Sequence, residues 1–209
     1  IDVAHLLRQF GLQVVFCTCT LGPNPLYAHE SFYLANMAED ERRVAQLFRD
    51  AGKAGISCLQ RSVCWQQLAS VLLSGQGVVL VLVDKRKLDP WLMAADLCLP
   101  SLCGMDLGYT GHYILLVGYD ACSAEFLVRN PAGPGPGEER VGVSALDAAR
   151  RAFGTDEDLL LVSHPTLASG VLLVPQQPAP GQPLVQHATP VHDSMQHEAA
   201  EYIQHEPVG

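Results

Sequence analysis

The chain has 209 residues, is 48% hydrophobic and 17% charged, and has a formal net charge of −9, which is typical of one globular domain with or without a tail. The negative charge argues against a nucleic-acid-binding surface, and no apolar run reaches the roughly 18 residues of a membrane-spanning helix. The seven cysteines are an odd number without regular spacing, so we expect reduced thiols and a location in the cytoplasm or the nucleus.

Helices and strands are predicted to alternate through the first half of the chain. Apolar residues at helical spacing, each series followed by a glycine, predict helices that end at Gly11, Gly52 and Gly75. Ser62 is expected to cap the third of these helices. Runs of β-branched and other apolar residues predict a strand after each of these helices. The three predicted strands are residues 14–20, 56–59 and 78–83.

The stretch from residue 84 to residue 110 has no sustained periodicity, which predicts a functional or flexible connection. Beyond the middle of the chain, Ser144 and Asp147 have the spacing of a capping box, which predicts a last helix with Phe153 facing the core. A final strand is expected at residues 159–162.

The composition changes at Ser163. The 47 residues that follow residue 162 hold half of the 14 prolines, five of the eight histidines and no lysine or arginine. Such a segment has too little apolar surface to offset its ordering entropy. We therefore predict a domain over residues 1–162 and a proline-rich, mostly disordered tail over residues 163–209.

A predicted β-hairpin contains the main candidate site. His112 precedes an apolar run over residues 113–119, which is typical of a buried central strand, and the returning strand ends at Asn130 because a proline follows. Closing the hairpin at residues 119 and 124 places His112 opposite Pro131, and a slip of one residue places it opposite Asn130. The register decides whether the two side chains share a face. On a shared face, directly paired residues lie about 5 Å apart at Cβ, close enough for the amide to orient the imidazole.

His112 and Asn130 are thus candidates for the base and the orienting residue of a Cys-His-Asn site. The alternative is structural, because a histidine at a strand end and an Asn-Pro pair are also ordinary turn chemistry.

The cysteines offer weak candidates for a nucleophile or for zinc. Cys64 is the one internal residue predicted near a helix N-terminus, where a thiol pKa falls, although its position equally suits the start of a packed face. Cys17 and Cys19 are predicted within a strand. With Cys98 and Cys103 they form two pairs without a nearby histidine, a poor match to zinc patterns.

Nucleotide and metal sites are poorly supported by the residues. There is no GxxxxGK[ST] or GxGxxG phosphate-binding motif. Asp84 and Asp120 each end a predicted strand and together could hold Mg²⁺ for nucleotide cyclisation, but acidic residues at strand ends are commonly turn formers. We therefore predict no resident metal or cofactor.

Several short motifs in combination resemble the guanylyl-cyclase-domain-containing protein family, the plant-type "guanylyl cyclase 2" group. The resemblance spans about residues 1–162, and its name implies conversion of GTP to cyclic GMP with Mg²⁺ or Mn²⁺. The motifs are Ser31-Phe32-Tyr33, Arg43-Val44-Ala45-Gln46-Leu47-Phe48, Gly111-His112-Tyr113-Ile114 with Gly118-Tyr119, Asn130-Pro131-Ala132 and Gly154-Thr155-Asp156-Glu157-Asp158.

The GHYxLLxGY and NPA arrangement is also similar to papain-like peptidases of the bacteriocin-processing type. This resemblance implies an α+β, papain-like fold with a largely antiparallel central sheet flanked by helices, with His112 as base and Asn130 as orienting residue. The cysteine of the family lies in a Trp-Asp-Cys-Gly-like segment before the helix that begins this chain. We therefore expect a truncated N-terminal helix region, a site incomplete without that cysteine, and no activity in this chain. The remaining alternative is a non-enzymatic module that binds another protein.

Overall fold

The structure is a computed structural model that describes residues 1–27, 37–88, 109–133 and 137–166. These residues form an α+β fold, as predicted, in which helices flank a seven-stranded, mostly antiparallel sheet. The described helices are α1 (Asp2–Gln9), α2 (Met37–Ala51), α3 (Trp65–Leu73) and α4 (Val143–Arg150). The strands are β1 (Gln13–Thr18), β2 (Ile56–Gln60), β3 (Val78–Asp84), β4 (Gly111–Asp120), β5 (Glu125–Arg129), β6 (Glu139–Gly142) and β7 (Leu159–Ser163).

The strand order is β2-β1-β7-β3-β4-β5-β6. Strands β1 and β2 are parallel, and the other neighbouring pairs are antiparallel. In the part of the chain that the structure describes, no helix has the length and apolar character needed to cross a membrane.

The sheet has an apolar core on each face. On one face Val81 of β3 belongs to a cluster with Leu68 of α3 and Leu146 of α4, and on the other Phe16 of β1 packs against Phe48 of α2 with ring centroids 5.8 Å apart. Because successive side chains of a strand alternate between the two faces, strands β1, β3 and β7 supply both cores. Fully burying each such side chain stabilises the fold by about 1.5–3 kcal/mol.

Strand β4 is interior, but the prediction that it is the buried centre of the sheet is wrong. The middle strand is β3, and all five residues of β7 are buried. In β4, Ile114 and Leu116 are buried whereas Tyr113 and Leu115 are half-buried. The physical reason is that α1 and α2 pack mainly on β1 and β2, which leaves one face of β4 less covered.

The N-cap of helix α3 lies two residues later in the chain than predicted. The N-cap is Cys64, whose backbone N–H donates to Gln67 Oε1 over 3.0 Å. Ser62 instead donates its hydroxyl to Glu157 Oε2 over 2.6 Å. The capping prediction for Ser62 is therefore wrong, because a tertiary partner takes the hydroxyl.

Helix α4 also begins differently from the prediction. Gly142 is its N-cap without a side-chain hydrogen bond, so Ser144 lies inside the helix, and Asp147 accepts from Arg150 at 2.6 Å. Phe153 is 57% exposed, not buried, because the helix ends before it. The short strand β6, directly before the helix, was not predicted.

The β4–β5 hairpin has neither of the predicted registers. It closes with Asp120 opposite Glu125, and Ala124 in the turn has a φ of 55°. Gly118 lies opposite Leu127, whereas Leu116 lies opposite Val128, so Val117 is an extra residue in β4. This β-bulge shifts the register of the strand segment that leads back to His112.

Three of the predicted features lie outside the described residues: the Ser31-Phe32-Tyr33 motif, the Cys98 and Cys103 pair, and the tail from residue 167. The boundary between domain and tail stays a prediction. Strand β7 ends at Ser163, one residue beyond the predicted strand.

Candidate functional site

His112 and Asn130 are in contact across β4 and β5. His112 is the second residue of β4, opposite Val83, and its Nε2 lies 2.8 Å from Asn130 Oδ1. Continued past Arg129, the register after the bulge places Asn130 opposite Ile114, two residues from His112 and on the same face. Without the bulge Asn130 would lie opposite Leu115, and the two side chains would be on different faces.

The local sequence fixes the position of the Asn130 side chain. Pro131 has no backbone N–H and ends the strand ladder. The next N–H, that of Ala132, donates to Asn130 Oδ1 at 3.1 Å, and the N–H of Gly133 donates to the Asn130 backbone oxygen at 3.0 Å. This is the turn in which an Asn side chain accepts from the backbone two residues on.

A third side chain completes the arrangement. Asn130 Nδ2 donates to Glu139 Oε2 over 3.2 Å. The Ala132 N–H can only donate and an ionised carboxylate can only accept, so together they fix which end of the amide faces His112. Glu139 was not predicted as a site residue, because it begins the unpredicted strand β6 after a Pro/Gly-rich loop.

The amide orientation determines which nitrogen of His112 is basic. Asn130 Oδ1 is an acceptor, so Nε2 must carry the proton that it donates. In the neutral imidazole this leaves the lone pair on Nδ1. The arrangement can therefore accept a proton at Nδ1 of His112 and stabilise the resulting imidazolium through Asn130.

The motif Gly154 to Asp158 lies next to the start of β4. The ring of Tyr109 packs on Gly154, and its hydroxyl approaches Gly111. Gly154 has a φ of +97°, and a Cβ added there would be 2.7 Å from the Tyr109 ring. Asp156 and Glu157 follow with φ of 48° and 53°. This strained loop and the segment that leads to His112 are therefore packed together.

None of the described cysteines hydrogen-bonds His112. Burial raises the pKa of Cys17 to about 12, and burial also raises the pKa of Cys58. Burial and then the Glu157 carboxylate raise the pKa of Cys19. These environments disfavour a nucleophilic thiolate.

Cys64 is at a helix N-terminus, as its predicted role requires, but its neighbourhood is that of a packed face. The ring of Trp65, the next residue, has its centroid 6.0 Å from that of Tyr119. Tyr119 is seven residues along β4 from His112. Both features expected at Cys64, a helix N-terminus and a packed neighbouring residue, are therefore present.

The structure does not bring Asp84 and Asp120 together. Asp84 pairs with Gly111 at one end of β4, and Asp120 is at the other end, nine residues on, or roughly 30 Å away. Asp84 is buried and forms an ion pair with Arg86 at 2.9 Å. Hydrogen bonds, first from Arg140 at 2.9 Å, lower the pKa of Asp120. Among residues 1–27, 37–88, 109–133 and 137–166, no group of three or more His, Cys, Asp or Glu is placed to hold a metal.

A cleft of about 600 Å³ lies beside the site. Its lining includes Leu80, Tyr113 and Leu115 of the sheet together with Asn130 and Pro131. Tyr113 and Leu115 alternate with His112 and so point to the other face of the sheet. Asn130 thus borders both the His112 face and this cleft.

Comparison with known proteins shows the family. The family model that matches residues 1–162 is described as "Guanylylate cyclase". The chain belongs to this guanylylate cyclase family. The match includes His112 and Asn130.

A relative from Arabidopsis thaliana named "Guanylyl cyclase 1" is 41% identical to the guanylylate cyclase family chain over 164 residues. The alignment covers 78% of this chain and 59% of the relative, so the chain spans less than two thirds of that relative's length. No solved structure matches the chain, and the papain-like topology stays a prediction.

Proposed function

We propose that this family domain is a papain-like cysteine-hydrolase domain, in which His112 is the general base and Asn130 orients it. The supporting observation is the 2.8 Å hydrogen bond from His112 Nε2 to an Asn130 oxygen that Ala132 and Glu139 hold in place. A neutral imidazole with a free Nδ1 lone pair is the form required to take a proton from a thiol.

In this proposal a cysteine thiol gives its proton to His112 Nδ1, and the thiolate adds to the carbonyl carbon of an amide or ester substrate. The imidazolium returns the proton to the leaving group as the carbon–nitrogen or carbon–oxygen bond breaks. Water, deprotonated at the same Nδ1, then hydrolyses the thioester and regenerates the thiol. Asn130 Oδ1 accepts the hydrogen bond from Nε2–H throughout and stabilises the imidazolium.

The thiol is proposed to come from family sequence that this chain does not cover. Two observations support this: none of the described cysteines hydrogen-bonds His112, and 41% of the Arabidopsis relative lies outside a 164-residue match that covers 59% of it. Residues 1–209 alone would then bind but not hydrolyse the substrate. We place the protein in the cytoplasm or the nucleus and expect its substrate or partner to be another protein.

The test is labelling with a thiol-reactive probe, followed by mapping of the labelled cysteine by mass spectrometry. The natural polypeptide that contains these residues should show one rapidly labelled cysteine, and a His112→Ala variant should lose that rapid labelling by about 100-fold or more. Slow, uniform labelling of every cysteine in both proteins would contradict the proposal and leave a protein-binding role.

A second candidate function is guanylyl cyclase activity, which the family description and the name of the relative favour. A metal-dependent cyclase uses carboxylates that share a metal, and Asp84 and Asp120 are too far apart to do so. Purified protein with GTP and Mg²⁺ or Mn²⁺ is therefore expected to form no cyclic GMP above a heat-treated control. Cyclic GMP above that control that also requires the added metal ion would establish the cyclase and replace the hydrolase proposal.

A further inference from the structure

We propose that Glu139 is a positioning residue for His112 and acts through Asn130, an inference that rests on the hydrolase function proposed above. Its carboxylate accepts from Asn130 Nδ2 at 3.2 Å, and Asn130 Oδ1 faces His112 Nε2 at 2.8 Å. Glu139 does not hydrogen-bond His112 itself. Its effect is to set which nitrogen of the imidazole is free to accept a proton.

The three side chains form a row across β4, β5 and β6. Glu139 lies opposite Val128 of β5, so it shares a face with Asn130, two residues beyond Val128. Asn130 in turn lies one diagonal step from His112, and diagonal neighbours at about 7–8 Å between Cα atoms are within reach of long polar side chains. The row therefore results from the registers of two strand pairs.

Neighbouring atoms, in addition to the hydrogen bond, restrict the position of the Glu139 side chain. The residue is half-buried, and a Cβ added at Gly133 would overlap its Oε1 atom. Gly133 does not have a positive φ, so the backbone does not require glycine there. The missing side chain instead leaves room for the carboxylate against the loop that follows Asn130.

The Glu139 carboxylate orients the Asn130 amide because an ionised carboxylate can accept a hydrogen bond but cannot donate one. If the Asn130 amide were reversed, its oxygen would face the Glu139 oxygen, and its NH₂ group would face Nε2 of His112. That arrangement would place the proton of the neutral ring on Nδ1 and remove the base. The side-chain amide of an isosteric glutamine at position 139 can either accept or donate a hydrogen bond. Only the Ala132 N–H would then oppose the reversed Asn130 amide, through a single hydrogen bond that contributes about 1 kcal/mol.

The experiment measures the tautomer of His112 from long-range ¹H–¹⁵N couplings and ¹⁵N shifts of the ring, at about pH 9, where a histidine ring is ordinarily neutral. The wild-type chain should show the Nε2–H form. Glu139→Gln and Gly133→Ala, which displaces the carboxylate sterically, should each raise the population of the Nδ1–H form at least about threefold. The matched control is Glu138→Gln, which removes the same charge from the neighbouring residue, whose partner is Arg129 at 3.0 Å.

The tautomer of His112 can be measured whether or not the protein catalyses a hydrolase reaction. An unchanged tautomer in both Glu139→Gln and Gly133→Ala, with backbone amide spectra that show a folded domain, would overturn the positioning role. Because the two variants remove the contact in different ways, failure of one to fold leaves the other as the test. In the natural polypeptide, the same two variants should slow labelling of the reactive cysteine by about threefold or more, with Glu138→Gln at the wild-type rate. A shifted tautomer without any reactive cysteine would contradict the hydrolase function while upholding the contact.

Discussion

His112 Nε2 lies 2.8 Å from Asn130 Oδ1 although the two residues are not directly opposite in the sheet. The bulge at Val117 places them on one face, and Ala132 and Glu139 fix the amide between them. The basic nitrogen of His112 is therefore Nδ1, directed away from Asn130. These contacts hold His112 and Asn130 in the arrangement that the proposed thiol-hydrolase site requires.

Arg150 is expected to be essential for stability and its neighbour Arg151 is not. Arg150 is 1% exposed and pairs with Glu157 at 3.2 Å, whereas Arg151 is 45% exposed and 3.8 Å from the same carboxylate. Arg150→Ala removes charged hydrogen bonds to two half-buried carboxylates, those of Asp147 and Glu157, and should cost about 3 kcal/mol in the free energy of unfolding. Arg151→Ala should cost less than about 1 kcal/mol. Urea denaturation measures both, and equal costs would contradict this account.

Gly154→Ala should destabilise the domain because both conformation and space require glycine. The φ is +97° and the new Cβ would be 2.7 Å from the Tyr109 ring. We expect a loss of about 1–3 kcal/mol in the free energy of unfolding. Gly52→Ala is the control, since nothing lies within 4 Å of its added Cβ and its φ is not positive. Similar unfolding midpoints for the two variants would contradict the claim that position 154 requires glycine.

Asp158→Asn should stabilise the folded chain at neutral pH. Burial raises the pKa of Asp158 to about 6 from 3.8, against the opposing effect of the Thr18 hydroxyl. The folded state therefore binds this proton more tightly than the unfolded state, and the contribution of the group to stability falls as pH rises from about 4 to 6. Asp158→Asn does not undergo this loss. Its free energy of unfolding should therefore exceed that of the wild type increasingly between about pH 4 and 6, and by about 1–3 kcal/mol at pH 7. Urea unfolding from pH 4 to 7.5 measures it, and an advantage independent of pH would refute the assignment.

Cys17 should react with iodoacetamide far more slowly than Cys122. Cys17 is buried and its pKa is raised to about 12, whereas Cys122 is exposed. At pH 8 only about one Cys17 thiol in 10⁴ is ionised, so the rate should be at least about 10³-fold lower in the folded chain. The difference should vanish in 6 M guanidinium, which serves as the control. Comparable rates in the folded protein would place Cys17 at an accessible position.

The family resemblance in the sequence implied the α+β class, and the residues placed His112 and Asn130 at neighbouring strand ends while leaving open whether their side chains share a face. An apolar run after a histidine and a proline after an asparagine define the two strand ends, whatever register joins them. The register itself depended on the bulge. Gly118, beside Val117, was a usable signal, because an isolated glycine within a strand often marks a bulge, and an added Cβ there would be 2.9 Å from Leu127.

Glu139 and the cap of α3 were not predictable in this way. Strand β6 has four residues and follows a Pro/Gly-rich loop, so too few residues remained to show alternation. Ser62 had a suitable cap position, but its hydroxyl binds Glu157, which is 95 residues away in the chain. Local sequence patterns carry no information about hydrogen-bond partners that are so distant in the chain.

The most direct test of the central claim is the pH dependence of iodoacetamide alkylation in the natural polypeptide that contains these residues. A thiol paired with His112 should retain a high alkylation rate down to about pH 5, because the thiolate persists beside an imidazolium. In His112→Ala the rate at the same cysteine should instead fall about tenfold for each pH unit below about 8. Wild-type and His112→Ala profiles that coincide at every cysteine would contradict the claim that His112 is the base of a thiol-hydrolase site.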